Sequence, residues 1–227
     1  MMAKNLRKEV AQMKIDIKGA IVPDSDGWIY DWFGESYCSP SKVHAALEEA
    51  AGEDVDIDIS SGGGDVFAGS EIYAAIRAYP GKVSIHVVGL AASAASVIAC
   101  AGDSDIAPTA QMMVHNVSTY ATGDYHEMDH TSDMLKQANR AIASAYMEKA
   151  GMSEKDALDL MDAESWLTAQ DAVDYGLIDR IAGSQNAVSE DDNASVRMAA
   201  SVGGMLPPSV INKMQKRKQA LLDYFAN

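Results

Sequence analysis

Gly89-Leu90-Ala91-Ala92-Ser93-Ala94-Ala95-Ser96 decides how this chain is read. An apolar run from Val83 to Leu90 ends abruptly in tiny residues, and a helix-forming run from Ala94 to Ala101 follows. The order is strand, tight turn, buried helix. A serine at that junction places its hydroxyl at the positive end of a helix dipole, beside unpaired backbone N–H groups. A developing oxyanion is stabilised in such a place. The plain alternative is a small-residue helix packed on a sheet, with Ser93 as an ordinary N-cap.

Working outward, Met13 to Val22 begins with apolar–polar alternation and is predicted as a strand, closed by the turn cluster Pro23 to Gly27. Ser39-Pro40 opens a helix that runs through Val43, Ala46, Leu47 and Ala50 to a Gly52 stop. Val55 to Ile59 is a short strand, Ser60 to Asp65 a glycine loop, and Val66 to Tyr79 an amphipathic helix. Beyond Ser93 come a short strand at Met112 to Val114 and a long helix over roughly Tyr125 to Ala150. Ser153 caps a helix to about Asp162, and Thr168 caps another, with Asp171 at the capping-box position and Gly176 as its stop. Strands alternating with helices predict an α/β layer architecture with mainly parallel pairing. The domain reading is an N-terminal extension at 1–12, a folded unit at 13–183, an acidic linker at 184–208, and a short basic helix or tail at 209–227.

The 227 residues suffice for one domain with a sizeable core. A formal net charge of −15 disfavours a nucleic-acid partner. The two cysteines, Cys38 and Cys100, make no disulfide framework and fit a reducing compartment. Met1 to Gln12 is charged and polar, unlike a secretory signal. Val83 to Ala101 contains His86, three serines and a glycine turn, so it reads as protein core and no membrane partner is expected.

A serine nucleophile needs a base, an orienting carboxylate and an oxyanion hole. His115 follows the strand Met112 to Val114 and so stands at a strand end. Gly62-Gly63-Gly64 also follows a strand and offers bare N–H groups. Asp162 and Glu164 precede Trp166-Leu167-Thr168, and either carboxylate can orient an imidazole. Each piece alone has a plain structural explanation. Ser96 is a rival nucleophile one helical turn further in. His126-Glu127-Met128-Asp129-His130 matches a zinc-protease pattern. Its acidic neighbours Asp124, Asp129 and Asp133 read as a solvated helix face, so neither a metal nor another cofactor is expected.

Together, and in this order, these segments resemble the Clp protease proteolytic subunit family over roughly Ile15 to Ile181. Ser60-Ser61-Gly62-Gly63-Gly64-Asp65-Val66-Phe67-Ala68-Gly69 is similar to its Asn-Ser-Pro-Gly-Gly segment, and Gly89 to Ser93 to its nucleophile motif. Met112-Met113-Val114-His115 is similar to its base motif, and Trp166 to Asp179 to its C-terminal signature. The resemblance implies a fold of repeated β-β-α units with a long handle helix, shared with the crotonase superfamily. It implies a serine endopeptidase with Ser93 as nucleophile, His115 as base and Glu164, with Asp162 as fallback, as the third member. It puts the oxyanion hole at the Gly64 and Ala94 amides and a peptide strand along Gly63, Asp65, Val66, Asn116 and Val117. A ring-forming homo-oligomer, a peptide or protein substrate and a cytoplasmic setting are expected. Glutamate at 164 and glycine at 62 depart from the family's aspartate and proline. Met1 to Gln12 does not resemble the segment that engages a Clp ATPase, which leaves that partner open. Trp28-Ile29-Tyr30-Asp31-Trp32-Phe33-Gly34, the triple glycine and Glu164-Ser165-Trp166 are most similar to the head maturation proteases of tailed phages and prophages. The competing readings are a general proteolytic subunit working with a Clp ATPase, a catalytically silent ring that scaffolds assembly, and a crotonase-like acyl-CoA enzyme.

Overall fold

Period-two alternation builds the sheet. Ile15 and Ile17 alternate with Lys14, Asp16 and Lys18, so one face of the strand is apolar and the other charged. In the computed structural model, which describes residues 13–183, 210–212, 214–216 and 219, that alternation is repeated strand by strand in register. The chain runs through β1 (Met13–Ile21), α1 (Gly27–Phe33), β2 (Tyr37–Cys38), α2 (Pro40–Glu49), β3 (Val55–Gly64), α3 (Val66–Ala78), β4 (Val83–Ala92) and α4 (Ala94–Ala99). It continues through β5 (Asp103–Ile106), β6 (Gln111–Val114), α5 (Tyr125–Ala150), α6 (Glu154–Asp162), β7 (Ser165–Thr168), α7 (Ala169–Asp174) and β8 (Arg180–Ile181). The sheet order is β2-β1-β3-β4-β5-β8, with β6 leaving the path to pair with both β4 and β7. All pairings are parallel except β6 with β7.

On one face Ile17, Ile59, Val87 and Ile106 are neighbours across four strands, all buried against the helices. Burying each such side chain contributes about 1.5–3 kcal/mol. The other face carries Asp16, Asp58, His86, Asp105 and Arg180 in one row. Lys14 bonds Asp58 at 2.7 Å, His86 Nδ1 stands 2.9 Å from Asp105, and Arg180 bonds Asp103 at 2.7 Å. The charged row keeps this face wet and leaves the core on the helical side.

Several expectations are corrected. Ser60 to Gly64 is the end of β3, not a loop, because β3 carries an extra residue there relative to β1. Ser61 holds that bulge by donating to the Gly19 carbonyl at 2.6 Å and accepting from Gly63 N–H at 3.1 Å. Trp28 to Phe33 forms a helix, ended by Gly34 in the left-handed conformation. The brief strands β5, β7 and β8 are too short for alternation to reveal. The expected extension at 1–12 and linker at 184–208 lie outside the described residues, as does much of 209–227. Ile211 and Met214 pack on the small cluster of Ala20, Val22, Ile29 and Tyr30, and Gln215 donates to Asp26 at 3.0 Å.

Among the described residues no helix is long and apolar enough to cross a membrane. The 26-residue α5 is half solvated and half core. Met134 is exposed, whereas Ile142, Ala145 and Tyr146 are buried.

Burial opposes charge on His86, but its bonds to Asp105 and Asp56 outweigh this and raise its pKa above 6.5. A raised folded-state value means the stabilisation is complete below the unfolded pKa and lost as pH rises through the folded one. The melting temperature should therefore step downward as pH climbs from about 6 to about 9, and His86→Gln should lack that step. Identical profiles for the two proteins would remove His86 as its source.

Candidate active site

Two strands that pair side by side bring the reactive groups together. Ala92 on β4 lies beside Met113 on β6, and the next residue, Ser93, donates its N–H to the Met113 carbonyl at 2.9 Å. Ser93 therefore leaves the end of β4 where His115 leaves the end of β6. Ser93 Oγ and His115 Nε2 stand 2.7 Å apart. Both side chains are partly exposed, so the pair is open to a substrate.

Ser93 occupies the N-cap position of α4 but makes no capping bond with its side chain. Its backbone lies at φ 55°, ψ −125°, a conformation rare for an L residue. The turn throws the hydroxyl out of the helix toward the imidazole. Tiny neighbours permit it: Ala92, Ala94 and Ala95 are buried. Gly69 of α3 lies so close that an added Cβ would fall 2.9 Å from the Ala94 Cβ.

The glycines of β3 border the same turn. Gly63 has φ 87°, and a Cβ there would sit 2.5 Å from the Ala92 carbonyl, 2.7 Å from Ser93 Cβ and 2.9 Å from the Ala94 nitrogen. Only glycine brings backbone this near the Ser93 turn. Gly64, at φ 153°, is pressed on Ile21. Ala94 opens α4, so its N–H has no acceptor within the helix.

The expected third member is not seated on the imidazole. Among the described residues no carboxylate bonds His115 Nδ1. Asp162 accepts from Asn116 Nδ2 at 2.7 Å. Glu164 is exposed, has φ 47°, and its carboxylate meets no partner among the described residues. The antiparallel register pairs Val114 with Ser165, so the next positions outward are His115 and Glu164.

Other expected substrate contacts have prior engagements. The Asp65 carboxylate caps α3, accepting from Ala68 N–H at 2.8 Å, and Val66 is the first residue of that helix. Val117 N–H donates to Asn139 Oδ1 at 2.7 Å, and Asn139 Nδ2 donates to Asn116 Oδ1 at 2.8 Å. The backbone near them is also engaged: Gly63 N–H donates to Ser61 Oγ, and Asp65 N–H donates to the Ile21 carbonyl at 2.8 Å. Asn139, on α5, was not legible as a site residue: an asparagine in a long polar helix carries no local signal. Ser96 is fully buried and bonded, which removes it as a rival nucleophile. Glu127 accepts from Asp124 N–H at 2.8 Å and closes a capping box, so the pattern His126 to His130 marks the start of α5.

The sequence profile of the Clp protease family matches residues 41–185, more than half of the chain. The chain belongs to the Clp protease family. Membership makes it a protein of a serine-type peptidase family, with a hydrolase's chemistry. It is 32% identical over 157 residues to an ATP-dependent Clp protease proteolytic subunit 1 from Streptomyces avermitilis, covering 66% of this chain and 72% of the relative. A proteolytic subunit 1 from Chlamydia abortus is 35% identical over 141 residues, 60% of this chain and 73% of the relative. The fold is similar to that of a ClpP1 mutant from Listeria monocytogenes, with a TM-score of 0.62 at 22% identity over 74% of this chain and 90% of the other. The α/β fold with a parallel sheet and a long helix is thus that of ClpP structures.

Gly63→Ala tests the close approach. The added methyl should displace the Ala92–Ala94 turn and slow labelling of Ser93 by a fluorophosphonate at least about tenfold. A wild-type labelling rate would show that the turn accommodates the methyl.

Proposed function

We propose that this protein is a serine endopeptidase in which Ser93 is the nucleophile and His115 the general base. The observation that carries the reading is the 2.7 Å contact between Ser93 Oγ and His115 Nε2 at a positive-φ turn opening a helix. A peptide lies along the glycine end of β3, held by main-chain hydrogen bonds. Ser93 attacks the scissile carbonyl as His115 takes its proton. The Gly64 and Ala94 amides receive the oxyanion. His115 then returns the proton to the leaving amine, and water, activated by the same imidazole, cleaves the acyl-enzyme. No cofactor or metal is part of the scheme.

Glu164 supplies the orienting carboxylate. Its position supports it, since Glu164 and His115 are the residues just past the last paired positions of β7 and β6, and its carboxylate has no competing partner among the described residues. Asp162 already serves Asn116. A rotation of the Glu164 side chain onto His115 Nδ1 on substrate binding would fix the tautomer and stabilise the imidazolium.

The comparisons favour a ClpP-type proteolytic subunit over a phage head maturation protease. The relatives named above are proteolytic subunits of ATP-dependent Clp proteases, and none of those names points to a capsid. The phage reading rests on Trp28 to Gly34, on the triple glycine Gly62-Gly63-Gly64 and on Glu164-Ser165-Trp166. We adopt the first reading: a cytoplasmic, ring-forming peptidase that works with a Clp ATPase. Exposed Tyr125, Met128 and Met134 on the solvated half of α5 are apolar surface suited to contact between copies.

Ser93→Ala should abolish hydrolysis of a fluorogenic peptide while leaving the melting temperature within a few degrees. Glu164→Gln should lower kcat at least about hundredfold, more than Asp162→Asn does. The reverse order would move the third role to Asp162, and turnover by Ser93→Ala would reject the site.

Light scattering should find an assembly of several copies at micromolar concentration. Degradation of an unfolded protein should require an added Clp ATPase and ATP. A monomer at every concentration, or cleavage of a capsid or scaffold protein without any ATPase, would overturn the adopted reading.

A further inference from the structure

The strained peptide at Ser93 is held from behind by two side chains that the catalytic scheme does not use. Ser96 Oγ lies 2.6 Å from the Ser93 carbonyl, which also accepts from Ser96 N–H at 2.9 Å. On its other side Ser96 Oγ lies 2.7 Å from the Tyr146 hydroxyl, on α5. The proton assignments follow from valence. A carbonyl only accepts, so Ser96 spends its single hydroxyl proton on Ser93. Tyr146 must then be the donor to Ser96. Both residues are buried, at 0% and 2% exposure. Burial pushes the Tyr146 pKa far up, so the phenol keeps the proton it donates.

Two polar side chains buried this deeply are costly unless fully bonded, and here they are. Their bonds converge on one peptide plane. The Ser93 C=O and the Ala94 N–H belong to the same rigid trans amide and point in opposite directions. Pinning the oxygen inward fixes the direction in which the N–H points outward. The N–H end of that plane faces the glycines of β3, with the Ala94 nitrogen 2.9 Å from where a Gly63 Cβ would be.

We propose that Ser96 and Tyr146 form a buried hydrogen-bond relay, Tyr146 to Ser96 to the Ser93 carbonyl, that aims the Ala94 N–H at the substrate oxyanion. The inference rests on the serine-peptidase reading above and names positioning residues for it. Neither touches substrate. The relay works by stopping the 93–94 plane from rotating toward an ordinary helical conformation, which would relieve the strain at φ 55° and swing the donor out of line.

The test uses the full chain, a fluorogenic peptide and a peptide boronate, whose tetrahedral adduct on Ser93 places an oxygen at the oxyanion position. Ser96→Ala should lower kcat about tenfold with KM within about twofold, and weaken the boronate by the same factor as kcat. Tyr146→Phe should lower both by about threefold. Because the bonds act in series, the double variant should be no worse than Ser96→Ala. A wild-type kcat in Ser96→Ala would overturn the proposal. So would a kcat loss with boronate affinity unchanged, or full additivity of the two substitutions. If Ser96→Ala melts below the assay temperature, Tyr146→Phe, which keeps the ring in place, carries the test alone: an unchanged kcat then overturns the relay. Ser93→Ala separates the two levels. Its continued turnover would reject the site as a whole. An inert Ser93→Ala beside a fully active Ser96→Ala would reject only the relay.

Discussion

The structure depends on a single turn being held where it does not wish to be. Ser93 at φ 55°, ψ −125° lies in a region that disfavours any side chain, and such a conformation costs about 1–3 kcal/mol. It persists because the residue is tied at both ends. Its N–H reaches across to Met113 on β6, and its carbonyl is gripped by Ser96. Release either end and the chain relaxes toward a helix start with an ordinary cap serine. The hydroxyl then no longer points at His115. The small residues around the turn follow from the same constraint, since Gly63, Gly69 and Ala94 approach to distances that an added methyl would violate.

The parallel sheet converts this local strain into a site. β3 carries an extra residue relative to β1, and β4 carries extra residues relative to β3, which shifts the ends of the central strands just where they leave the regular ladder. The deeper rows, Ile15 with Ile57 and Ile85, or Ile17 with Ile59 and Val87, stay in strict register and anchor the sheet. Departures from regularity are confined to the end that bears chemistry. The buried rows make the fold stable enough to tolerate them.

How much of this was legible follows from the range over which each signal acts. The long strands, the main helices and the strand–serine–helix junction declared themselves through local patterning and turn residues. Ser93 and His115 were legible because each sits at the end of an apolar strand. The β7 strand is four residues long and pairs only through β6, so no local pattern announces it. The partner of Asp162 and the placement of Glu164 were hidden for a related reason. They depend on the register of β6 against β7, which alternation within four residues does not specify. Ser96 was visible as a hydroxyl near Ser93, but its burial and bonding depend on a contact with a residue fifty positions away. Tyr146 follows Ile142 and Ala145 at helical spacing, so it falls in with the apolar side of the long helix and its hydroxyl gives no sign of a partner.

The long helix emerges as more than a protruding handle. Its first half is solvated, and its second half is core. Among the polar groups it turns inward are Asn139 and Tyr146. They are seven positions apart, and at 3.6 residues per turn that spacing puts them on one face. Asn139 grips the backbone just after His115 through Val117 and the side chain of Asn116. Tyr146 grips the backbone at Ser93 through Ser96. One rigid rod thus contacts the backbone beside both His115 and Ser93, from behind. Neither contact is needed to bury apolar surface, since Ile142, Ala143 and Ala145 between them already do that. A purely structural helix would be expected to place aliphatic residues at both positions, because a buried hydrogen-bonded side chain gains little stability over a well-packed apolar one. What the polar pair adds is direction: it fixes the angle at which two loops leave the sheet, and that angle decides whether a hydroxyl and an imidazole meet.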